Sequence, residues 1–142
     1  MGSNAVILLD THVLVWSSVP DSRLGSQARE LIAGCSAGDP FYVSAISAWE
    51  IALQVKKGRI DFGMPAAKWF DKASRHPAWR TIPLDAATAM ESADLPGDVH
   101  GDPADRFLIA LARSAGLHIL TADRNILAYA KSGHVLAYNA EK

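Results

Sequence analysis

Cysteine is nearly absent: Cys35 is the one thiol in 142 residues. One thiol can neither close an internal disulfide nor build a thiolate metal cage, which excludes a disulfide-stapled scaffold and fits a reducing, cytoplasmic setting. Cys35 reads as a small, half-buried residue. Long apolar runs are missing too, none nearing the ~20 residues of a membrane span, so no membrane association is expected. The first residues carry no basic segment leading into a longer apolar one, so no secretory signal is expected. Charge of one sign is also lacking: 14 basic residues face 15 acidic ones, for a net charge of −1. That excludes a protein that coats nucleic acid through a broad basic surface. It leaves open an enzyme that grips a few phosphates locally.

There is no repeat, no low-complexity stretch and no linker, so the chain reads as one domain, expected over residues 4–138. Ala5-Val6-Ile7-Leu8-Leu9 is an uninterrupted aliphatic run, the mark of a strand buried on both faces. A helix is expected from about Asp21 to Gly34, capped by Asp21 or Ser22. Phe41-Tyr42-Val43 reads as a second strand, and Ser44 or Ser47 opens a helix to Lys57 that Gly58 ends. Pro65 stands at a first helical position for Ala66 to Ser74. Arg80-Thr81-Ile82 is a third strand, and Asp85 caps a helix to about Ala93. Asp102-Pro103-Ala104-Asp105 is a strong helix start, with an acidic cap, proline at the first position and an acid at the third. Leu117 to Leu120 forms another strand, Thr121-Ala122-Asp123 leads into a short helix to Ala130, and Val135-Leu136-Ala137 closes the set. Strands separated by helices imply right-handed crossovers and a parallel sheet covered on both faces. The class is α/β.

Parallel sheets bind ligands at the carboxyl ends of their strands. Asp10 directly follows the first strand and Asp123 stands just past the fourth. Glu50 lies near the start of the helix after the second strand, and Asp105 in the first turn of the helix before the fourth. A parallel sheet therefore delivers all four acids to one edge. Each has an ordinary role available: a turn cap for Asp10, a helix surface for Glu50, the reciprocal half of the Asp102 cap for Asp105, a helix cap for Asp123. Their joint placement is the signal. Clustered carboxylates repel and tend to protonate, unless helix N-termini or a bound cation hold their charge. All-oxygen ligands suit Mg²⁺ or Mn²⁺, and such ions can activate a water against a phosphodiester.

Four stretches now carry a resemblance: Leu8-Leu9-Asp10-Thr11-His12-Val13-Leu14-Val15-Trp16, Val43-Ser44-Ala45-Ile46-Ser47-Ala48-Trp49-Glu50-Ile51-Ala52, His100-Gly101-Asp102-Pro103-Ala104-Asp105-Arg106-Phe107-Leu108-Ile109-Ala110, and Leu120-Thr121-Ala122-Asp123. Together they resemble the PIN-domain ribonucleases, and within them the VapC-like toxins of type II toxin–antitoxin systems. The resemblance implies an α/β/α sandwich around a mainly parallel sheet. It implies a Mg²⁺- or Mn²⁺-dependent endoribonuclease whose acidic quartet is Asp10, Glu50, Asp105 and Asp123, with Asp10 and Asp105 as the most direct ligands. Asp102 and Thr121 follow as secondary site residues. It further implies a homodimer silenced by a cognate antitoxin whose tail lies across the groove beside the acids.

Cations that can meet substrate phosphates are Lys56, Arg106 and Arg124, with Lys57 and Arg59 nearby; the lysines can equally be a solvated helix end. His12 and His100 lie beside site elements and can relay a proton or simply pack. Trp16, Trp49, Trp69 and Trp79 suit core or dimer packing better than base stacking. A haloacid-dehalogenase-type phosphatase also places an aspartate after its first strand, but needs a second acid where His12 stands. A receiver domain lacks its acidic pair here. A catalytically silent PIN-like scaffold that binds protein or RNA is the remaining alternative, and an intact quartet speaks against it.

Overall fold

The structure, a computed structural model, describes residues 5–20, 22–99 and 101–142. Asn4, Asp21 and His100, which the sequence reading named as domain start, helix cap and proton relay, lie outside the described residues. The order is β1 (Ile7–Leu9), α1 (Thr11–Trp16), α2 (Ser26–Ala33), β2 (Phe41–Ser44), α3 (Ala45–Lys56), α4 (Ala66–Ala73), β3 (Trp79–Ile82), α5 (Ala86–Ala93), α6 (Pro103–Ala115), β4 (His118–Thr121), α7 (Arg124–Lys131) and β5 (Leu136–Asn139). The five strands form one sheet in the order β3-β2-β1-β4-β5, and every pairing is parallel. The chain winds outward from β1 through β2 to β3, then returns to β4 on the other side. Between β1 and β4 the winding reverses, which leaves a crevice at their carboxyl ends.

Alternation along β1 explains why its aliphatic run is unbroken. Ile7 and Leu9 join a core with Val13, Phe41, Ile51 and Leu120 on one face, while Leu8 joins Leu108, Ile109, Ile119 and Ile126 on the other. Both layers thus pack against a strand that never meets water.

Three differences from the sequence reading have local causes. The chain after Asp10 forms a short helix, α1, which the β-branched residues Thr11, Val13 and Val15 disguise. α2 begins at Ser26, several residues later than expected, with Gly25 as its cap. There the backbone is taken up by the end of the chain: Gly25 N donates to Ala140 O at 2.9 Å, and Gln27 N to Lys142 O at 2.7 Å. A side chain at Gly25 would sit 2.3 Å from the Lys142 carbonyl carbon, so only glycine fits. Finally, Pro65 is the cap of α4 rather than its first residue.

Other caps follow the sequence. Ser44 Oγ accepts from Ile46 N at 3.1 Å, Asp85 Oδ1 from Thr88 N at 2.8 Å, and Asp102 Oδ1 from Asp105 N at 2.9 Å. Gly116 ends α6 in the left-handed conformation, φ 69°. Asp102→Ala is expected to destabilise the protein by about 1 kcal/mol through loss of this cap. A denaturant midpoint unchanged from wild type would contradict it.

Candidate metal centre and substrate groove

Asp10 is 4% exposed and stands where β1 gives way to α1. Its backbone N donates to Leu120 O at 3.1 Å, which locks the residue to the end of β4. One carboxylate oxygen, Oδ1, accepts from His12 N at 3.4 Å, so Asp10 does cap α1. The other, Oδ2, accepts from Thr121 Oγ1 at 2.5 Å. Thr121 is fully buried, and its hydroxyl also accepts from Asp123 N at 2.9 Å. One hydroxyl therefore ties together the two acids on either side of the β1–β4 crevice. Asp123 caps α7 through Oδ1, which takes Asn125 N at 2.9 Å and Ile126 N at 3.0 Å. Oδ2 takes no part in that cap.

Glu50 belongs to the second turn of α3 rather than its first. Its Oε1 accepts from Thr11 Oγ1 at 2.5 Å, and that hydroxyl is 2.9 Å from Ser47 Oγ. The acid is thereby turned toward the residue after Asp10. Asp105 arrives from the opposite layer, on the first turn of α6, because a crossover helix starts at the edge where strands end. Gly101 is the close approach beside it: a Cβ there would stand 2.9 Å from Asp105 Cβ.

The charges register one another. Burial pushes the Asp105 carboxyl up to about 8, and Asp102, Asp123, Asp10 and Glu50 all add to the rise. Burial raises Glu50 as well, against the Thr11 hydrogen bond, with Asp10 and Asp102 adding to the rise. Burial likewise raises Asp10, opposed by the Thr121 hydrogen bond and by His12, with a further push from Asp123. The structure thus brings Asp10, Glu50, Asp123 and the more exposed Asp102 within electrostatic reach of Asp105. Among the described residues no three acid, histidine or cysteine side chains close into a ready-made metal cage. An open carboxylate rim of this kind suits a cation that keeps several waters and is held by only a few carboxylates, as Mg²⁺ is.

The expected phosphate partners divide. Arg106 points away from phosphate duty: Nε donates to Ser92 O at 3.0 Å, Nη1 to Val99 O at 3.3 Å and Nη2 to Ala93 O at 3.5 Å. It ties α5 and the following loop to α6, and among the described residues pairs with no acid. Lys56 is exposed at the far end of α3, about 9 Å along the axis beyond Glu50. Arg124 is exposed at the first position of α7, next to Asp123. Of the tryptophans, Trp79 is buried, Trp69 stacks on Phe62 at 4.1 Å, and Trp49 is 55% exposed on the α3 surface beside Glu50.

Sequence reasoning passed over one cation. Arg23 lies in the α1–α2 connection, 5.1 Å above the Trp16 ring, and lines a cavity of about 150 Å³ with Asp10, His12, Trp16, Ala122 and Asp123. No motif contains it, so only the fold reveals its place.

A parallel sheet in this order with an acidic crevice between β1 and β4 defines a class, and the chain belongs to the PIN domain family, whose model matches residues 7–132. Among characterised relatives, it is 33% identical over 120 residues to Ribonuclease VapC22 of Mycobacterium tuberculosis, a match that spans 84% of this chain and 88% of that protein. Solved structures share the fold. VapBC2 from Rickettsia felis, bound to a promoter DNA fragment, superposes with a TM-score of 0.66 at 15% identity, covering 94% of this chain and 98% of that one. FitAcB from Neisseria gonorrhoeae gives 0.64 at 21% identity, with 95% and 98% covered. Mycobacterium tuberculosis VapC20, a sarcin–ricin loop cleaving toxin, gives 0.64 at 17% identity, with 91% and 96% covered. No helix among the described residues is long and apolar enough to cross a membrane.

Proposed function

We propose that the chain is a Mg²⁺- or Mn²⁺-dependent endoribonuclease and the toxin of a type II toxin–antitoxin pair. One observation carries this reading: Thr121 joins the Asp10 carboxylate to Asp123 at the β1–β4 crevice, Thr11 turns Glu50 toward the same place, and Asp105 comes close enough for these acids and Asp102 to raise its pKa beyond what burial does. A fold that needed these acids only as caps would not gather them. Family membership and the likeness to a ribonuclease relative support the same direction.

In this reading Asp10 and Asp105 hold the cation directly, with Glu50 and Asp123 completing the rim. A cation held there would supply Lewis-acid polarisation of a phosphodiester and a lowered pKa for an attacking water. The chain's own residues supply orientation. Thr121 holds the Asp10 carboxylate through Oδ2, and Thr11 holds Glu50, so neither acid has to reorganise when substrate arrives. The exposed Trp49 and Met90 offer apolar surface for an antitoxin or a second copy of the chain.

The test is cleavage of a labelled structured RNA by the purified chain, with Mg²⁺ or Mn²⁺ and with EDTA, against Asp10→Asn as control. Metal-dependent new ends from the wild type alone are expected. A silent scaffold would bind RNA and leave it whole in both proteins. The toxin assignment is checked in cells: expressed alone the chain should arrest growth, and co-expression of the neighbouring upstream reading frame should relieve it. Tolerance of the lone chain at high level, with no new RNA ends, would overturn that part.

Thr121→Val separates positioning from folding. Losing the hydroxyl should lower kcat by roughly 10- to 100-fold, as expected when a metal ligand's partner is removed. A kcat within two-fold of wild type would show that Asp10 needs no such support.

A further inference from the structure

A strongly acidic rim repels a polyanion, so an RNA-cutting site needs a cation placed to receive the backbone. Lys56 sits at the far end of its helix, and Arg106 has its guanidinium committed to three carbonyls. The cavity beside Asp10 and Asp123 contains another. Arg23 enters it from the α1–α2 connection, lying over the Trp16 ring at 5.1 Å, and the His12 ring, 6.3 Å from Trp16, lines the same cavity. Glu141 steadies the guanidinium: its Oε2 accepts from Nη2 at 2.8 Å and from Nε at 3.2 Å. Both partners of that ion pair are substantially exposed, with side chains 67% and 42% accessible. Such a pair contributes little and yields readily to a better anion. Its effect is to pre-set the guanidinium, which loses less freedom on binding than an unrestrained side chain would.

We propose that Arg23, held on Trp16, forms a phosphate-binding subsite for the nucleotide next to the scissile bond, on the Asp10–Asp123 side of the acids. The inference rests on the nuclease reading and deepens it, naming where the RNA strand leaves the reaction centre. The cavity, of about 150 Å³, has room for a phosphate group beside Arg23. Arg23 meets that phosphate directly, and Trp16 acts through Arg23 as a positioning residue. Arginine suits the task because its planar fork meets a phosphate through two parallel hydrogen bonds once Glu141 gives way.

The experiment compares wild type, Arg23→Ala, Arg23→Lys and Trp16→Ala on two substrates in Mn²⁺: an RNA oligonucleotide and bis(p-nitrophenyl) phosphate. The small diester has no neighbouring phosphate. Arg23→Ala should raise KM for the oligonucleotide by roughly 10-fold with kcat changed less than two-fold, and leave the small diester untouched. The log–log salt dependence of kcat/KM should become shallower by about 0.7, the value for one lost phosphate contact on a single strand. Arg23→Lys should recover part of the KM loss, and Trp16→Ala should show a smaller rise in KM. Because Trp16 also packs against the core, its thermal melt is recorded alongside, and the exposed Arg23 pair carries the decision. An Arg23→Ala enzyme with wild-type KM and wild-type salt slope overturns the subsite while leaving the nuclease intact. A wild type that cuts neither substrate overturns the nuclease reading instead. An equal loss on both substrates would place Arg23 at the reacting phosphate, and also ends this proposal.

Discussion

Asp10→Asn is expected to lower RNA cleavage by at least about 10³-fold while the protein stays folded. A cation held at the crevice contributes several kcal/mol to a phosphodiester transition state, and about 4 kcal/mol corresponds to three orders of magnitude in rate. Asparagine keeps the shape, and its amide oxygen can still accept from Thr121. What it removes is the negative charge that would bind the ion. Burial already raises the Asp10 pKa, so the charge is costly to the metal-free fold, and its loss offsets the hydrogen bond from His12 N that the amide group no longer accepts, leaving the melting temperature nearly unchanged. Single-turnover rates on a defined RNA, with thermal melts of both proteins, decide the matter. A variant cutting within ten-fold of wild type would mean that Asp10 holds no essential ion.

Asp105→Asn should do two opposite things: abolish cleavage and stabilise the metal-free protein. The folded pKa of Asp105 is about 8, against a usual carboxylate value of 3.8. A carboxyl raised in the folded state binds protons there that the unfolded chain has already released. Its contribution to stability is thus fully present below about pH 4 and is lost as pH rises through about 8. Metal-free wild type should therefore melt lower at pH 8 than at pH 5, and Asp105→Asn should flatten that slope. After the screening that a partly exposed group receives, the difference at pH 8 is about 1–2 kcal/mol, or roughly 3–8 °C in melting temperature. Mg²⁺ added at pH 8 should raise the wild type and leave the variant nearly unmoved, because a ligand stabilises only the state that binds it. Parallel pH profiles for the two proteins in EDTA would refute this account of the crevice.

The same residue shows why function and stability pull apart here. Carboxylates brought together without a counterion raise the energy of the fold, and a bound cation would relieve it. Arg106 does not provide that relief, since its guanidinium is spent bracing the loop before α6 against α5. Its place beside Asp105 in the sequence suggested a phosphate contact, and adjacency along a helix sends the two side chains to different sides. Residues i and i+1 do not share a face.

Most of the acids were legible because they are attached to a local signal: Asp10 to the end of an aliphatic strand, Asp102 and Asp105 to a proline-bearing helix start, Asp123 to the turn after Leu120; Glu50, inside a helix, has none and was read from the resemblance and its place after the second strand. The elements missed had weaker signals. α1 has six residues, three of them β-branched, and its cap is the same Asp10 that marks the site. The start of α2 depends on the end of the chain, over a hundred residues away, which takes the backbone of Gly25 and Gln27. Arg23 sits in that displaced connection, and its position could not be foreseen without it.

By itself, the amino-acid order determined the alternation of strands and helices, most of the helix caps and the candidate acids, because periodicity and capping act within a few residues. Only the tertiary structure decided which acids share a rim, how Thr121 and Thr11 orient them, and which arginine faces the crevice. Those outcomes depend on strand order and on contacts between distant segments, where burial and mutual repulsion act through space and leave no mark on local sequence.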